Sequence, residues 1–216
     1  MQIDLPEPAA LQEEFGRRGV VALRGVLGDR DVCQLMHLAE ELIRRYEIAI
    51  NRDDDRNRLW YGVVTGDRVS TEGQRLFEFY TSTAMLEWVR QVTGASSVAP
   101  SEHLRSAINI NCLVEAGQRY RWHRDAVPYT ALLFLTSLQA SDGGEFLIRP
   151  ADGGLLRIRP AAGDLVLMDG TRCPHAVAPL RRRALRITVP MVYVDRAAAR
   201  PAGLDEYLYR GAARTG

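Results

Sequence analysis

Three side chains of this sequence could bind one divalent metal ion together. His123 and Asp125 stand two positions apart in a segment with the pattern of a strand end, where residues i and i+2 point to the same side. His175 lies far downstream, beyond several predicted turns that can bring a late strand back beside an early one. Two imidazoles and one carboxylate form the facial arrangement that binds Fe(II) and leaves coordination positions open. The sequence therefore predicts a metal-dependent enzyme.

A second group of residues could bind an anion. In the segment from Arg183 to Tyr193, strand alternation places an apolar set on one face and Arg186 and Thr188 on the other. We expect the apolar set to pack behind the sheet and Arg186 and Thr188 to point into the opening of a barrel. A guanidinium followed two residues later by a hydroxyl can bind a carboxylate through charge-assisted hydrogen bonds.

The composition narrows the range of chemistry. All 28 basic residues are arginine, which excludes a lysine Schiff base or lysine general base and leaves arginine as the counter-ion for any buried carboxylate. The net charge of +1 gives no reason to expect nucleic acid or an anionic membrane as a partner. A lysine-free, arginine-rich chain suggests a GC-rich bacterial genome.

The same bulk features predict a single cytoplasmic domain. The three cysteines, Cys33, Cys112 and Cys173, are too few and too scattered for a disulfide framework or a structural zinc site. The first residues lack the pattern of an export signal, and no segment approaches the roughly 20 apolar residues that cross a bilayer. We therefore expect a cytoplasmic bacterial protein, either a monomer or a homodimer.

The elements that position these residues change in character along the chain. Residues 8–17, 29–50 and 82–93 have helical spacing, 20–23 has the pattern of a strand, and 51–58 that of a solvated loop of mixed charge. Short strands follow at 105–114, 129–138, 144–149, 155–159, 164–168 and 184–194, and a short helix is expected near 204–209. Strands punctuated by turns in this way indicate a sandwich or jelly roll. The expected fold is therefore mainly β with flanking helices (α+β).

The β-rich region resembles a known family. Residues 105–195 are similar to the double-stranded β-helix core of the Fe(II)/2-oxoglutarate-dependent oxygenases, nearest to the prolyl-hydroxylase-like and small-molecule hydroxylase branch. The matching segments are Asn111, Gly117–Asp125, Leu132–Thr136, Gly143–Phe146, Gly163–Asp169, His175–Pro179 and Arg186–Thr188. The resemblance implies a jelly-roll (cupin-like) core with N-terminal helices packed on it. The expected organisation is one domain over 1–216, with a helical N-terminal portion (1–104), the β core (105–195) and a tail (196–216).

The resemblance also implies roles for the metal-binding and anion-binding residues. His123, Asp125 and His175 would bind Fe(II), and Arg186 with Thr188 would bind the distal carboxylate of 2-oxoglutarate.

One departure from the family pattern leaves an alternative anchor open. The family usually places its basic residue nine or ten positions after the distal histidine, and in this chain those positions are Ala184 and Leu185. Arg183 therefore remains an alternative to Arg186. Asn111 and Tyr129 resemble polar residues that some relatives direct toward the co-substrate.

The reaction implied by the resemblance consumes 2-oxoglutarate and O2 and hydroxylates an unactivated C–H bond. Asp125 argues against a halogenase, because halogenation in this family needs a small residue at that position to vacate a site for halide. Desaturation, epimerisation and ring closure remain open as outcomes of the same chemistry. Two other classes also remain: a cupin-type metalloenzyme that uses no keto acid, and a non-catalytic β-sandwich binding module.

The substrate is expected to be a small metabolite, either a free amino acid or an intermediate of natural-product biosynthesis, with a peptidyl substrate second. Aromatic and basic residues are the candidates for contacting it: Trp60, Tyr61, Tyr80, Arg121, Arg124 and Arg172. The three arginines would suit a substrate that carries a carboxylate.

Overall fold

The computed structural model describes residues 3–54, 57–195, 201–210 and 213–214, with side chains described outside 51–60 and 213–214. The helices are α1 (Pro8–Arg18), α2 (Asp29–Tyr46), α3 (Gly66–Glu72), α4 (Gln74–Thr81), α5 (Thr83–Thr93), α6 (Leu104–Ala107) and α7 (Leu204–Leu208). The strands are β1 (Val20–Leu23), β2 (Ile48–Asp54), β3 (Asn57–Val64), β4 (Val98–Pro100), β5 (Ile110–Leu113), β6 (Tyr120–His123), β7 (Tyr129–Phe134), β8 (Phe146–Ile148), β9 (Leu156–Ile158), β10 (Leu165–Asp169), β11 (His175–Val177), β12 (Arg186–Asp195) and β13 (Ala213–Arg214).

The strands form two antiparallel sheets that face each other. Within the described residues the larger sheet has nine strands in the order β1-β10-β7-β12-β5-β3-β2-β13, with β4 pairing to β12. The smaller sheet has the order β6-β11-β8-β9. Strands that are neighbours in space are mostly distant in sequence, as in a jelly roll. The predicted α+β fold with a double-stranded β-helix core is confirmed.

Two apolar layers hold the sheets and helices together. Alternation along β7 sends Leu133 into the layer between the large sheet and the N-terminal helices. It sends Leu132 and Phe134 into the layer between the two sheets. Because both faces of β7 are covered, its sequence is almost wholly apolar. The large sheet is thus packed on both faces, and a cavity lies between it and the smaller sheet.

The N-terminal helices match the sequence prediction closely at two places. Helix α1 ends at Gly19, whose φ of 70° lets the chain turn directly into β1. Helix α5 begins after Ser82, whose hydroxyl accepts a hydrogen bond from the backbone N–H of Met85, and ends at Gly94 with φ 69°. The short helix predicted near 204–209 is present as α7.

The region between α2 and α5 differs from the prediction. The helix expected over 29–50 ends at Tyr46. Of the loop expected over 51–58, residues 51–54 and 57–58 belong instead to a hairpin, in which β2 pairs with β3 from Ile48↔Val63 to Asp54↔Asn57. The hairpin joins the large sheet because β3 pairs with β5, and its inner side chains Ile50 and Val63 are buried. A backbone ladder docked on an existing sheet outweighs the polar character of the segment. The interpretation of the mixed charges as solvated concerns side chains outside the described residues.

Two smaller differences concern unpredicted helices. Helices α3 and α4 were not expected, and the strand predicted over 105–114 begins only at β5 because α6 precedes it. Among the described residues, no helix combines the length and the apolar character needed to cross a bilayer.

Candidate active site

The two candidate histidines are brought together by strand pairing in the smaller sheet. His123 is the last residue of β6 and His175 is the first of β11, and these two residues are direct partners in the antiparallel register. Their ring centroids are 4.2 Å apart. The side chain of His175 is 6% exposed, whereas that of His123 is 40% exposed at the mouth of the site. The expected return of a late strand to the side of an early one is present.

Backbone carbonyls fix the orientation of both imidazole rings. Nδ1 of His123 lies 2.8 Å from the carbonyl oxygen of Arg121, and Nδ1 of His175 lies 3.0 Å from that of Cys173. With Nδ1 donating to a carbonyl, the lone pair of each ring resides on Nε2. Both Nε2 atoms face Asp125, so each ring presents its metal-binding nitrogen to the same point.

Asp125 reaches this point from a loop rather than from a strand. Strand β6 ends at His123, so the expectation that His123 and Asp125 share one strand face is corrected. The backbone N–H of Asp125 donates instead to the carbonyl of Gly170, at 2.9 Å. One carboxylate oxygen, Oδ1, then lies 3.4 Å from Nε2 of His175 and 3.8 Å from Nε2 of His123. The three side chains offer ligand atoms that all lie within 4.8 Å of one another.

Thr130 and Gly170, two residues that the sequence did not single out, hold the carboxylate in place. The hydroxyl of Thr130 donates to Oδ2 of Asp125 at 3.0 Å, which leaves Oδ1 directed at the histidines. Gly170 makes room for the same side chain: a Cβ at position 170 would lie 2.6 Å from both Cβ and Cγ of Asp125. Any larger residue at 170 would therefore displace the carboxylate.

The electrostatics of the cluster favour a bound cation. Burial alone would raise the pKa of Asp125, but the nearby histidines and the Thr130 hydroxyl bring it below its ordinary value, so the carboxyl is ionised at neutral pH. Desolvation, followed by the charge of His175, lowers the pKa of His123. Desolvation also acts to lower the pKa of His175, but the charge and hydrogen bond of Asp125 outweigh it and the net pKa is raised.

Arg186 is a buried cation for which the described residues provide no anionic partner. Its side chain is 1% exposed, and none of the ion pairs found among the described residues involves it. Nε donates to the carbonyl of Gly144 at 2.9 Å and Nη1 to the hydroxyl of Thr188 at 3.3 Å, while the buried Nη2 has no partner. Burial lowers the pKa of Arg186 to about 10. A buried guanidinium with a free N–H group is a binding site that an anion would complete.

The metal cluster and Arg186 line the same cavity, which has a volume of about 200 Å³ and lies between the two sheets. Thr188 and Asn111, which face each other across the β12–β5 pairing, contribute polar atoms to its wall. Tyr120 stacks against Tyr61 with 4.2 Å between ring centroids, and both rings line the cavity.

The strand predicted to bear Arg186 and Thr188 on one face does so, and Ile187, Val189, Met191 and Tyr193 pack on the other. Leu185 departs from the pattern and is 39% exposed.

Several residues singled out from the sequence lie away from the cavity. Tyr129 points out of it, because Thr130 takes the cavity face of β7; the Tyr129 ring lies 6.2 Å from that of Phe15. Tyr80 is buried in the core, where its hydroxyl donates to the carbonyl of Val192 and accepts from the N–H of Ser101, both at 2.6 Å. The structure gives no support for a co-substrate role for Tyr129 or a substrate role for Tyr80.

The basic candidates other than Arg186 are also outside the cavity lining. Arg183 is on the surface with 78% of its side chain exposed, 3.7 Å from a carboxylate oxygen of Glu115. Arg121, Arg124 and Arg172 do not line the cavity, although Arg121 supplies the carbonyl that orients His123. Trp60 lies on β3, but its side chain is outside the described residues.

The residues present fit an iron ion and a keto acid. Two oriented imidazoles and an ionised carboxylate are the ligand set of the facial triad, which leaves the remaining positions of an octahedral ion open. Arg186, whose Nη2 has no partner, lines the same cavity and suits the distal carboxylate of a dicarboxylic keto acid.

Comparison with family models identifies the class of protein. A model described as Halogenase D matches residues 4–150, and a model described as 2OG-Fe(II) oxygenase superfamily matches residues 108–193, which include all three candidate metal ligands and Arg186. The chain belongs to the Halogenase D family and to the 2OG-Fe(II) oxygenase superfamily. It is therefore an Fe/2-oxoglutarate-dependent enzyme, and the two alternatives, a cupin-type enzyme without a keto acid and a non-catalytic module, are set aside. No curated protein matches the chain significantly.

Solved structures of two non-heme alpha ketoglutarate dependent enzymes and of a prolyl hydroxylase share the fold at low sequence identity. The epimerase SnoN of nogalamycin biosynthesis, in complex with Fe3+, alpha ketoglutarate and nogalamycin RO, is 18% identical with a TM-score of 0.71, covering 91% of this chain and 88% of its own. The carbocyclase SnoK is 16% identical with a TM-score of 0.71, covering 96% and 91%. A Trichoplax adhaerens prolyl hydroxylase bound to a peptide fragment is 17% identical with a TM-score of 0.70, covering 87% and 88%.

Proposed function

We propose that this oxygenase hydroxylates an unactivated C–H bond of a small metabolite, with His123, Asp125 and His175 as the iron ligands. The observation that carries the proposal is that an intact facial triad and a buried, anion-free arginine line one cavity. Family membership supplies iron and 2-oxoglutarate, and the triad and Arg186 support the binding positions proposed for them.

Arg186 is the proposed anchor of the co-substrate. Its guanidinium would bind the distal carboxylate of 2-oxoglutarate, and Thr188, which already accepts a hydrogen bond from Nη1, would hold the guanidinium in orientation. Arg183 is less suited, because an exposed guanidinium paired with Glu115 gains little from a further carboxylate in water. Asn111 lines the same wall next to Thr188 and is the better of the two additional polar candidates, since Tyr129 faces the helices.

When bound, iron and 2-oxoglutarate supply the oxidation: O2 is consumed and the keto acid is converted to succinate and carbon dioxide. The protein's own contribution is to bind and orient. The two carbonyls behind the imidazoles keep the Nε2 atoms directed inward, and Thr130 keeps the second oxygen of Asp125 turned away. The apolar walls of the cavity exclude water from the reacting C–H bond.

Asp125 favours hydroxylation over halogenation, although the matching model is described as Halogenase D. A halide needs the coordination position that this carboxylate would occupy. The surroundings are built for the carboxylate, because Thr130 donates to it and Gly170 leaves it space. Halogenation remains the second candidate on the strength of the family model.

The type of substrate follows from how the cavity is closed. Leu204, Leu208 and Tyr209, in and just after α7, form part of its wall, which favours a small molecule over an extended peptide. The expectation of a free amino acid rested on Arg121, Arg124 and Arg172, and these residues do not line the cavity. An intermediate of natural-product biosynthesis is the better proposal, and desaturation, epimerisation or ring closure of such a compound would use the same site.

Anaerobic reconstitution with Fe(II) and 2-oxoglutarate tests the proposal. We expect the visible charge-transfer band of the iron–keto-acid complex in the wild-type protein, and we expect added chloride to leave it unchanged. An Asp125→Gly variant provides the comparison, because chloride should shift its band if the vacated position becomes accessible. A wild-type band that shifts with chloride would favour halogenation, and the absence of a band in folded, iron-loaded protein would refute the proposed function.

A further inference from the structure

The cavity has two ends that differ in chemistry, and strand β12 runs from one to the other. Arg186, Thr188, Pro190 and Val192 alternate along this strand and all line the cavity. At about 3.3 Å per residue, the first and last of them are about 20 Å apart. The Arg186 end is buried between the sheets and is assigned above to 2-oxoglutarate. The Val192 end is therefore the space left for the substrate.

Apart from the proposed iron ligands, the Val192 end carries no charged side chain among the described residues that line the cavity. Its apolar members are Ala126, Val127, Pro190, Leu204 and Leu208, and its polar members are the neutral residues Ser101, Ser106, Asn109 and Tyr209. Apart from Arg186 at the opposite end, the charged or titratable lining groups of the described chain are the proposed iron ligands and tyrosines.

The segment that closes this end is held by specific contacts. The hydroxyl of Tyr209 donates to the carbonyl of Arg105 at 2.8 Å and lies 3.0 Å from Oδ1 of Asn109. The Arg105 guanidinium lies 4.7 Å from the centre of the Tyr209 ring. The hydroxyl of Ser106 donates to Oδ1 of Asp205 at 2.6 Å. Two charged residues beside this segment, Arg105 and Asp205, thus have partners outside the lining, while Tyr209 and Ser106 belong to the lining.

A charged substrate group would lose its hydration in this space without gaining a counter-ion from the described lining residues outside the iron site. Burial of an unpaired carboxylate or ammonium is far less favourable than burial of a neutral polar group that finds a hydrogen bond. Serine hydroxyls and asparagine amides offer such hydrogen bonds to a neutral group.

We propose, resting on the function proposed above, that the part of the substrate bound at the Val192 end is uncharged and largely apolar, with neutral hydrogen-bonding groups. A zwitterionic free amino acid does not have this chemistry. An amide, ester, lactone, ketone or alcohol on a hydrocarbon framework does.

Three probes of equal chain length test this inference: hexanamide, hexanoate and hexylammonium. Each is titrated calorimetrically, without oxygen, into protein already saturated with Fe(II) and 2-oxoglutarate, so that Arg186 is occupied and cannot capture hexanoate. We expect hexanamide to bind at least tenfold more tightly than either ion. An ion that binds as tightly as hexanamide, or the failure of all three probes to bind, would overturn the inference.

Two variants locate the binding. Leu208→Asp places a carboxylate in the lining, and we expect it to weaken hexanamide at least tenfold and to reverse the preference in favour of hexylammonium, with 2-oxoglutarate affinity unchanged. Leu155→Asp makes the same change at an exposed position, 46% accessible, outside the cavity lining and should alter none of the affinities. If Leu208→Asp leaves probe binding unchanged, the Val192 end is not the substrate site.

The two proposals fail in different ways. Loss of the iron–keto-acid band in the wild-type protein would refute the oxygenase site itself. A normal band combined with tight binding of an ionic probe would refute the neutral-substrate inference alone.

Discussion

Replacing Arg186 by methionine should weaken 2-oxoglutarate binding and stabilise the ligand-free protein at once. A residue that serves only the fold would show the opposite effect on stability. The reason is that Arg186 carries a fully buried charge with no carboxylate partner among the described residues. Methionine retains a long unbranched side chain in the same space and removes the charge.

The magnitude can be worked from the site. Burial lowers the pKa of Arg186 to about 10, and at about 1.4 kcal/mol for each pKa unit the charged form is disfavoured by about 3 kcal/mol. The hydrogen bonds to the Gly144 carbonyl and the Thr188 hydroxyl offset about 1 kcal/mol each. The substitution should therefore raise the free energy of unfolding of the ligand-free protein by about 1 kcal/mol, which corresponds to an increase in Tm of about 2–4 °C.

The same substitution should weaken 2-oxoglutarate binding, by a larger free energy than it adds to the stability of the fold. Removing one partner of a buried charge pair costs at least about 2 kcal/mol, so 2-oxoglutarate affinity should fall about 30-fold or more. Calorimetric titration of 2-oxoglutarate into the metal-loaded protein and thermal unfolding of the ligand-free protein measure the two quantities. Arg183→Met is the matched control, because that exposed side chain should affect neither. An Arg186→Met protein with unchanged 2-oxoglutarate affinity, or with a Tm several degrees lower, would refute the reasoning.

Three further predictions concern the metal cluster. Gly170→Ala should lower Fe(II) affinity at least tenfold, because the new Cβ would lie 2.6 Å from Cβ and Cγ of Asp125. If equilibrium dialysis gives wild-type affinity for this variant, the carboxylate does not need the space at position 170. Thr130→Val keeps the side-chain shape but removes the donor to Oδ2 of Asp125. Fe(II) affinity, measured by dialysis, should therefore fall about 10- to 100-fold. Circular dichroism should show that the variant remains folded. The pKa of His175 is raised in the metal-free protein, so Fe(II) must displace a proton from this ring at pH values below that pKa. In that range, Fe(II) affinity should fall about tenfold for each unit by which the pH is lowered. A pH-independent affinity would contradict this prediction.

The β core and the metal cluster could be predicted because they rest on local pattern. Alternation in the segment from Arg186 to Tyr193 assigns its two faces correctly, since a strand between two layers has little freedom in how it is turned. The spacing of His123 and Asp125 correctly predicted that the two side chains lie together, but the expected cause, a shared strand face, was wrong. The chain leaves the strand after His123, and it is the hydrogen bond to Gly170 that returns Asp125 to the histidines.

The hairpin of β2 and β3 could not be predicted from its own composition. Its polar residues indicate a solvated loop when taken alone, and the segment becomes a hairpin because β3 finds an open edge beside β5. That edge is formed by residues distant in sequence, so no local propensity reports it.

The residues that surround the site could not be predicted from the sequence either, because their contacts join segments that are distant in the chain. Thr130 and Gly170 have ordinary roles in a strand and a turn, and their importance appears only when both are found against Asp125. Tyr80 and Tyr129 illustrate the converse: their residue type suits a binding site, but one is held by Val192 and Ser101 and the other faces the helices. Residue type suggests chemistry, whereas the direction of a side chain depends on long-range packing.

The Fe(II) stoichiometry of single variants, measured by anaerobic equilibrium dialysis, tests directly whether His123, Asp125 and His175 bind one iron ion. We expect one Fe(II) per wild-type chain and loss of tight binding when any one of His123, Asp125 and His175 is replaced by alanine. His37→Ala and His103→Ala, which change histidines outside the cluster, should retain the full ion. Wild-type stoichiometry and affinity in any of the three cluster variants would contradict the claim that these side chains share one iron.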